Sequence, residues 1–129
     1  MGGVARRVLI VEDDRFLRKA AEATLRQRGY AVVTAADGEE ALQRAAADAP
    51  DLILLDLIMP KLQGFEVLRR LKEDAGTAGI PVIVLSNLGQ EHDVERAMAG
   101  GAVAYFIKSN ISLQDLAREV AKALGGPDR

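Results

Sequence analysis

Five short runs rich in Val, Ile and Leu alternate along this chain with longer amphipathic stretches. That alternation specifies a parallel sheet with helices on both faces. The spacing predicts strands near 7–12, 31–35, 51–56, 81–86 and 103–107, and helices near 14–28, 38–47, 63–74, 90–100 and 112–124. Helix starts carry caps: Asp37 with Glu40, and Ser112 with Asp115, each offer an acceptor to free N–H groups and a charge that suits the helix dipole. Gly29 and Gly76 suit helix ends. Phe16, Ala20 and Thr24 with Leu17 and Leu25, then Phe65, Leu68 and Leu71, and later Leu113, Leu116 and Val120, recur at helical spacing and are expected in the core. The alanine-rich stretch from Ala41 to Ala49 reads as an ordinary helix packed closely on the sheet.

The 129 residues are expected to form a single domain, 1–129, with its core over about 7–124. A chain of this size buries roughly 65–70% of the surface that its unfolded form exposes, so no disulfide or metal staple is needed. Cysteine is absent, which excludes a thiolate nucleophile and a sulfur-bound zinc site and fits a reducing compartment. No long apolar span or signal-type segment is present, so a cytoplasmic location without membrane association is expected. The net charge of -2 is spread over intermingled acids and bases, with no basic stripe and few aromatics. Direct nucleic-acid binding is therefore not expected. Met1-Gly2-Gly3 reads as a flexible start and Gly125 to Arg129 as a helix stop and short tail. With no linker visible, stand-alone use is the simpler expectation.

Function is concentrated at the strand ends, because open parallel sheets collect ligands beyond the carboxyl ends of their strands. Val8-Leu9-Ile10-Val11 runs into Glu12-Asp13-Asp14, and Leu52-Ile53-Leu54-Leu55 runs into Asp56. Val82-Ile83-Val84-Leu85 runs into Ser86-Asn87, and Val103 to Ile107 runs into Lys108-Ser109. Singly, each of these groups is an ordinary cap, turn or surface residue; together they bring an acid cluster, an acid, a hydroxyl and an amine to one sheet edge. Three acids near one point repel one another unless a cation lies among them, and hard oxygen ligands suit Mg²⁺. Asp13 and Asp56 are the expected direct ligands, Glu12 acts through water, and the Ile58 carbonyl completes the protein's share, while Asp14 caps the first helix. A metal-neutralised carboxylate can attack phosphorus. Asp56 would become an aspartyl phosphate, with Lys108 and the Ser86 hydroxyl each serving a phosphoryl oxygen.

At these residues the chain resembles the receiver domain of bacterial two-component response regulators, over residues 7–124. The motifs are Val11-Glu12-Asp13-Asp14, Asp56-Leu57-Ile58-Met59-Pro60 followed by Gly64, Leu85-Ser86, and Gly101-Ala102 leading to Tyr105 and Lys108. The resemblance, to stand-alone chemotaxis-type regulators in particular, implies an α/β, flavodoxin-like (βα)5 doubly wound parallel sheet of strand order 2-1-3-4-5. It implies that Asp56 takes phosphoryl from a histidine kinase or phosphotransfer protein with Mg²⁺ bound at Asp13 and Glu12, and that Ser86 and Lys108 read the phosphoryl group. It also implies that Tyr105 is an aromatic switch reshaping the surface of the fourth helix, fifth strand and fifth helix for a downstream protein target, as a monomer or a phosphorylation-dependent dimer. Such a chain is a signalling domain and not an enzyme in the usual sense.

The chain departs from the family pattern in places. Ser109 stands where the family usually has a cis proline; a non-proline cis bond costs roughly 2.5–4 kcal/mol, so a trans Lys108-Ser109 bond is expected. Asn87 replaces a small residue beside the site. Ile58 and Leu88 are apolar at positions that tune phosphoryl lifetime, so slow hydrolysis is expected. His92, the one histidine, reads as an exposed polar residue. A constitutive interaction module is the competing class. A haloacid-type phosphatase would need a second acid where Ile58 stands, and a flavin-binding flavodoxin would need a phosphate loop where Glu12-Asp13-Asp14 has the wrong charge.

Overall fold

The computed structural model describes residues 5–125. Five strands alternate with five helices: β1 (Arg7–Val11), α1 (Arg15–Gln27), β2 (Ala31–Ala35), α2 (Gly38–Asp48), β3 (Leu52–Leu55), α3 (Gly64–Glu73), β4 (Val82–Ser86), α4 (Glu91–Ala99), β5 (Ala104–Ile107) and α5 (Leu113–Ala123), with a short 3₁₀ turn at Lys108–Asn110 before α5. All strand pairs are parallel and the order is β2-β1-β3-β4-β5, the doubly wound, flavodoxin-like arrangement expected. The predicted elements match within a residue or two. Residues 1–3 and 126–129, read as a flexible start and a tail, lie outside the described residues.

Because side chains alternate across a strand, each central strand feeds two cores. Leu9, Val11, Ile53, Leu55, Val82 and Val84 face α2, α3 and α4, where Ala41, Ala45, Val67, Leu68, Leu71 and Ala97 meet them. Val8, Ile10, Leu52, Leu54, Ile83 and Leu85 face α1 and α5, against Ala21, Leu25, Leu116, Ala117 and Val120. This is why β3 and β4 read as unbroken apolar runs: neither side of them sees water. β5 is an edge strand, and all four of its residues are only partly buried.

One stripe differs from expectation. Phe16 is 86% exposed, Ala20 is exposed and Thr24 is only partly buried; Ala21 and Leu25 face the core instead, with Leu17 partly buried. The Asp14 carboxylate accepts from the N–H groups of Phe16 and Leu17 and so fixes where α1 starts. With the start fixed, the row through Leu17, Ala21 and Leu25 meets the sheet, and the row one residue earlier turns outward. The Thr24 hydroxyl satisfies itself by donating to the Ala20 carbonyl at 2.9 Å. Val103, included in the predicted fifth strand, precedes β5 and is 50% exposed. Phe65 and Leu113 are partly buried against the two cores.

Register brings the strand ends level. Val11 pairs with Ala35 and with Leu55, Leu55 pairs with Val84, and Ser86 pairs with Ile107. The residues that follow β1, β3 and β5, and the last of β4, therefore open onto one edge.

Candidate functional site

At that edge the ammonium of Lys108 lies between two buried carboxylates. It is 2.7 Å from Glu12 Oε1 and 2.8 Å from Asp56 Oδ2. The other oxygens are also engaged: Glu12 Oε2 accepts from the Asp14 N–H at 3.0 Å, and Asp56 Oδ1 accepts from the Ile58 N–H at 3.2 Å. Asp13 is exposed, and carboxylate oxygens of Glu12, Asp13 and Asp56 lie within 4.8 Å of one another. Three acids with one ammonium leave a net negative cluster of hard oxygen donors, the donor set that suits Mg²⁺.

Burial raises the Glu12 carboxyl above its ordinary value, opposed by the Lys108 and Asp14 bonds and reinforced by the nearby Asp56 charge. For Lys108, burial works against the charge, but the pairs with Asp56 and Glu12 outweigh it and hold its pKa above the usual lysine value. The lysine is thus firmly charged, and it is the internal counter-ion of the cluster.

Ser86 is fully buried at the end of β4, and its Oγ accepts from the Leu88 N–H at 3.2 Å. The hydroxyl proton is not used by that bond. The carbonyl of the same residue, Leu88, accepts from the Tyr105 hydroxyl, so Tyr105 lies inward, partly buried against the core. Burial raises the Tyr105 phenol, as do the charges of Asp93 and Asp56, while a contact with Ser86 lowers it. Leu88 thereby links Tyr105 to Ser86 at the end of β4.

The loop after β3 is held by close backbone approaches. A Cβ on Gly64 would stand 2.4 Å from the Asp56 carbonyl oxygen and from Leu57 Cα, and a Cβ on Gly38 would stand 2.1 Å from the Leu62 carbonyl oxygen. Glycine is needed at both places because backbone already occupies the room. Lys61, in the left-handed region at φ 68, reaches Asp37 at 3.6 Å. Met59 is buried and Ile58 is 56% exposed. From the other side, Arg18 of α1 donates to the Glu12 and Asp13 carbonyls at 2.8 and 3.3 Å.

The sequence-selected groups thus lie at one edge: Glu12, Asp13 and Asp56 are within reach of one another, Lys108 bridges Glu12 and Asp56, and Ser86 and Tyr105 are joined to each other through Leu88. For Ile58 it is the N–H that is bonded to Asp56. Asp14 caps α1 as expected. Asn87 is exposed, and His92 is exposed and pairs with Asp93 at 3.4 Å. No cis peptide occurs among the described residues, so Lys108-Ser109 is trans. Arg18 and Gly38 were not singled out from the sequence; a helix arginine and a glycine at a helix start carry no signal there beyond their ordinary roles.

Comparison with known proteins gives a single family. The family description "response regulator receiver domain" matches residues 8–121. A gliding motility regulatory protein of Myxococcus xanthus is 41% identical over 114 residues, covering 88% of this chain and 15% of that protein. The chain spans about half or less of the length of the curated relatives it first matches. Among solved structures, a response regulator from Chloroflexus aurantiacus superposes with a TM-score of 0.87 at 30% identity, covering 94% of this chain and 98% of that one. The receiver domain of a sensor histidine kinase from Pseudomonas aeruginosa PAO1 gives 0.85 at 28% identity, covering 95% and 100%; that domain holds a magnesium ion in its active-site cleft.

Proposed function

Because this chain belongs to the response regulator receiver family, we propose that it carries the phosphoacceptor chemistry on Asp56, accepting phosphoryl from a histidine kinase or phosphotransfer protein. A carboxylate oxygen of Asp56 forms the new bond to phosphorus as the bond from phosphorus to the donor histidine nitrogen breaks. Asp13 and Asp56 would hold Mg²⁺ directly, Glu12 through water, and the Ile58 carbonyl would add an oxygen. Bound there, the ion neutralises the acids and the incoming phosphoryl oxygens.

Lys108 then changes partner. In this structure its ammonium bridges Glu12 and Asp56; in the phosphorylated state it pairs with a phosphoryl oxygen, for which its raised pKa keeps it charged. Ser86 keeps a proton to donate to another oxygen. A shift of Ser86 pulls on Leu88, whose N–H it accepts from and whose carbonyl accepts from Tyr105, and through Tyr105 on the surface of α4, β5 and α5. Two packings biased by one new dianion are a population shift, and a downstream protein that binds one of them reads the signal. Phe16, almost wholly exposed on the first turn after the acid loop, gives a protein donor an apolar foothold beside the site. No described helix is long and apolar enough to cross a membrane.

The observation that carries this reading is Lys108 held between Glu12 and Asp56 with Asp13 in reach. Intact mass after incubation with acetyl phosphate tests it. One phosphoryl group is expected on the wild type with Mg²⁺ and none on Asp56→Asn or without the metal. A folded wild type that never gains mass would transfer the lead to a phosphorylation-independent interaction module.

A further inference from the structure

We propose that Arg18 is a positioning residue for the acid site, holding the backbone of Glu12 and Asp13 so that the Asp13 carboxylate is presented to a divalent cation. The inference rests on the reading above that Asp13 and Asp56 hold Mg²⁺. Its starting point is an unexpected choice of partner. Arg18 lies beside a loop carrying three consecutive acids, yet among the described residues it makes no ion pair with any carboxylate. Its Nη1 donates to the Glu12 carbonyl at 2.8 Å and the Asp13 carbonyl at 3.3 Å instead.

The rest of the loop shows what those two bonds add. The Glu12 N–H is tied to the Ala35 carbonyl at 3.0 Å, the Asp14 N–H to Glu12 Oε2 at 3.0 Å, and the Asp14 carbonyl to the Arg18 N–H at 2.9 Å. These bonds fix the residues on either side of Asp13. For the Asp13 carbonyl the only hydrogen bond described is the one from Arg18. Asp13 is also the one member of the acid trio that is exposed, whereas Glu12 and Asp56 are buried and locked by Lys108. Without the guanidinium, the peptide after Asp13 is held only through its N–H, by Glu12 Oε2, and the ligand with the least packing around it is aimed less tightly.

Charge and positioning predict opposite results, which makes the idea testable. As a bare cation near the site, Arg18 would repel Mg²⁺, and its removal would tighten binding. As a positioning residue it favours the bound geometry, and partners that orient metal ligands are typically worth about 10–100-fold in metal affinity. The measurement is Mg²⁺ affinity of the full chain, from calorimetry and from amide chemical shifts of residues 12–14, for wild type, Arg18→Met and Arg18→Lys, with thermal melting in metal-free buffer alongside. Arg18→Met is expected to weaken Mg²⁺ binding by about 10-fold and to broaden or shift the amide signals of Asp13 and Asp14 before metal is added. Arg18→Lys, which keeps the charge but not the planar donor geometry, is expected to recover part of the loss.

Unchanged or tighter binding by a folded Arg18→Met overturns the proposal, as does a lower melting temperature with unaltered affinity. If Arg18→Met does not fold, Arg18→Lys decides: weaker binding at an unchanged melting temperature sustains the proposal, and wild-type affinity overturns it. Failure of the wild type itself to bind Mg²⁺ would bring down the metal reading and this proposal together, whereas binding by the wild type with no change in the variants brings down the proposal alone.

Discussion

At the scale of single residues, Lys108 balances two buried acids at once, and that bond pattern has a measurable cost of removal. Met carries no charge, so Lys108→Met leaves Glu12 and Asp56 facing each other without a cation. A loss of about 1–3 kcal/mol is expected in metal-free buffer, with part of it restored by Mg²⁺; chemical denaturation with and without the ion checks this. The pH dependence follows from the raised Lys108 pKa. Its stabilising effect is fully present below the ordinary lysine value of 10.5 and is lost as pH rises through the higher folded value, so wild type and Lys108→Met converge in stability on the alkaline side. Ile58 is apolar and well exposed and Leu88 is partly buried; apolar groups there are expected to hinder an attacking water. Replacing both with Gln is expected to speed loss of the phosphoryl group several-fold, read as the decay of intact mass. Asp56, Lys108, Glu12 and Asp13 were legible in the sequence because each sits at the end of an apolar run, where chain direction alone decides position. The Arg18 contacts and the inward Tyr105 were not, since they depend on side-chain direction and on loops meeting across space.

Elements show the same division. Strands and helices could be read within a residue or two because apolar runs, caps and glycine stops are local signals: Asp14, Asp37 and Ser112 all cap as their side chains allow. In α1 the expected core takes in Leu17 and Leu25 together with Phe16, Ala20 and Thr24, and the structure turns only the first row inward, with Ala21 between them. Only contact with the sheet separates two rows one residue apart. The start of α2 packs closely on the loop after Asp56. Gly38→Ala would drive a methyl group into the Leu62 backbone, 2.1 Å away, whereas the space around Gly79 is open within 4 Å. Gly38→Ala is therefore expected to cost about 1–3 kcal/mol and to slow phosphoryl uptake by displacing the loop after Asp56, while Gly79→Ala changes neither. Thermal melts and acetyl phosphate labelling rates of the two variants check both statements.

For the molecule as a whole, the central strands serve two cores at once, so damage to one is felt across the sheet. Ile53 is wholly buried at the middle of β3, and Ile53→Ala is expected to lower stability by about 2–5 kcal/mol. The far-UV and near-UV melts should remain superimposed, and separation of the two curves would show that the two layers come apart independently. The near-UV band has a further use. There is no tryptophan and there are two tyrosines: Tyr30 is buried in the layer beneath α1 and α5, on the opposite side of the sheet from the core that Tyr105 packs against. Tyr105 is bonded to Leu88, the residue that also bonds Ser86. The unlabelled chain therefore carries its own optical reporter: with Tyr105→Phe supplying the baseline, the remaining tyrosine difference signal follows the site in real time, without an attached dye.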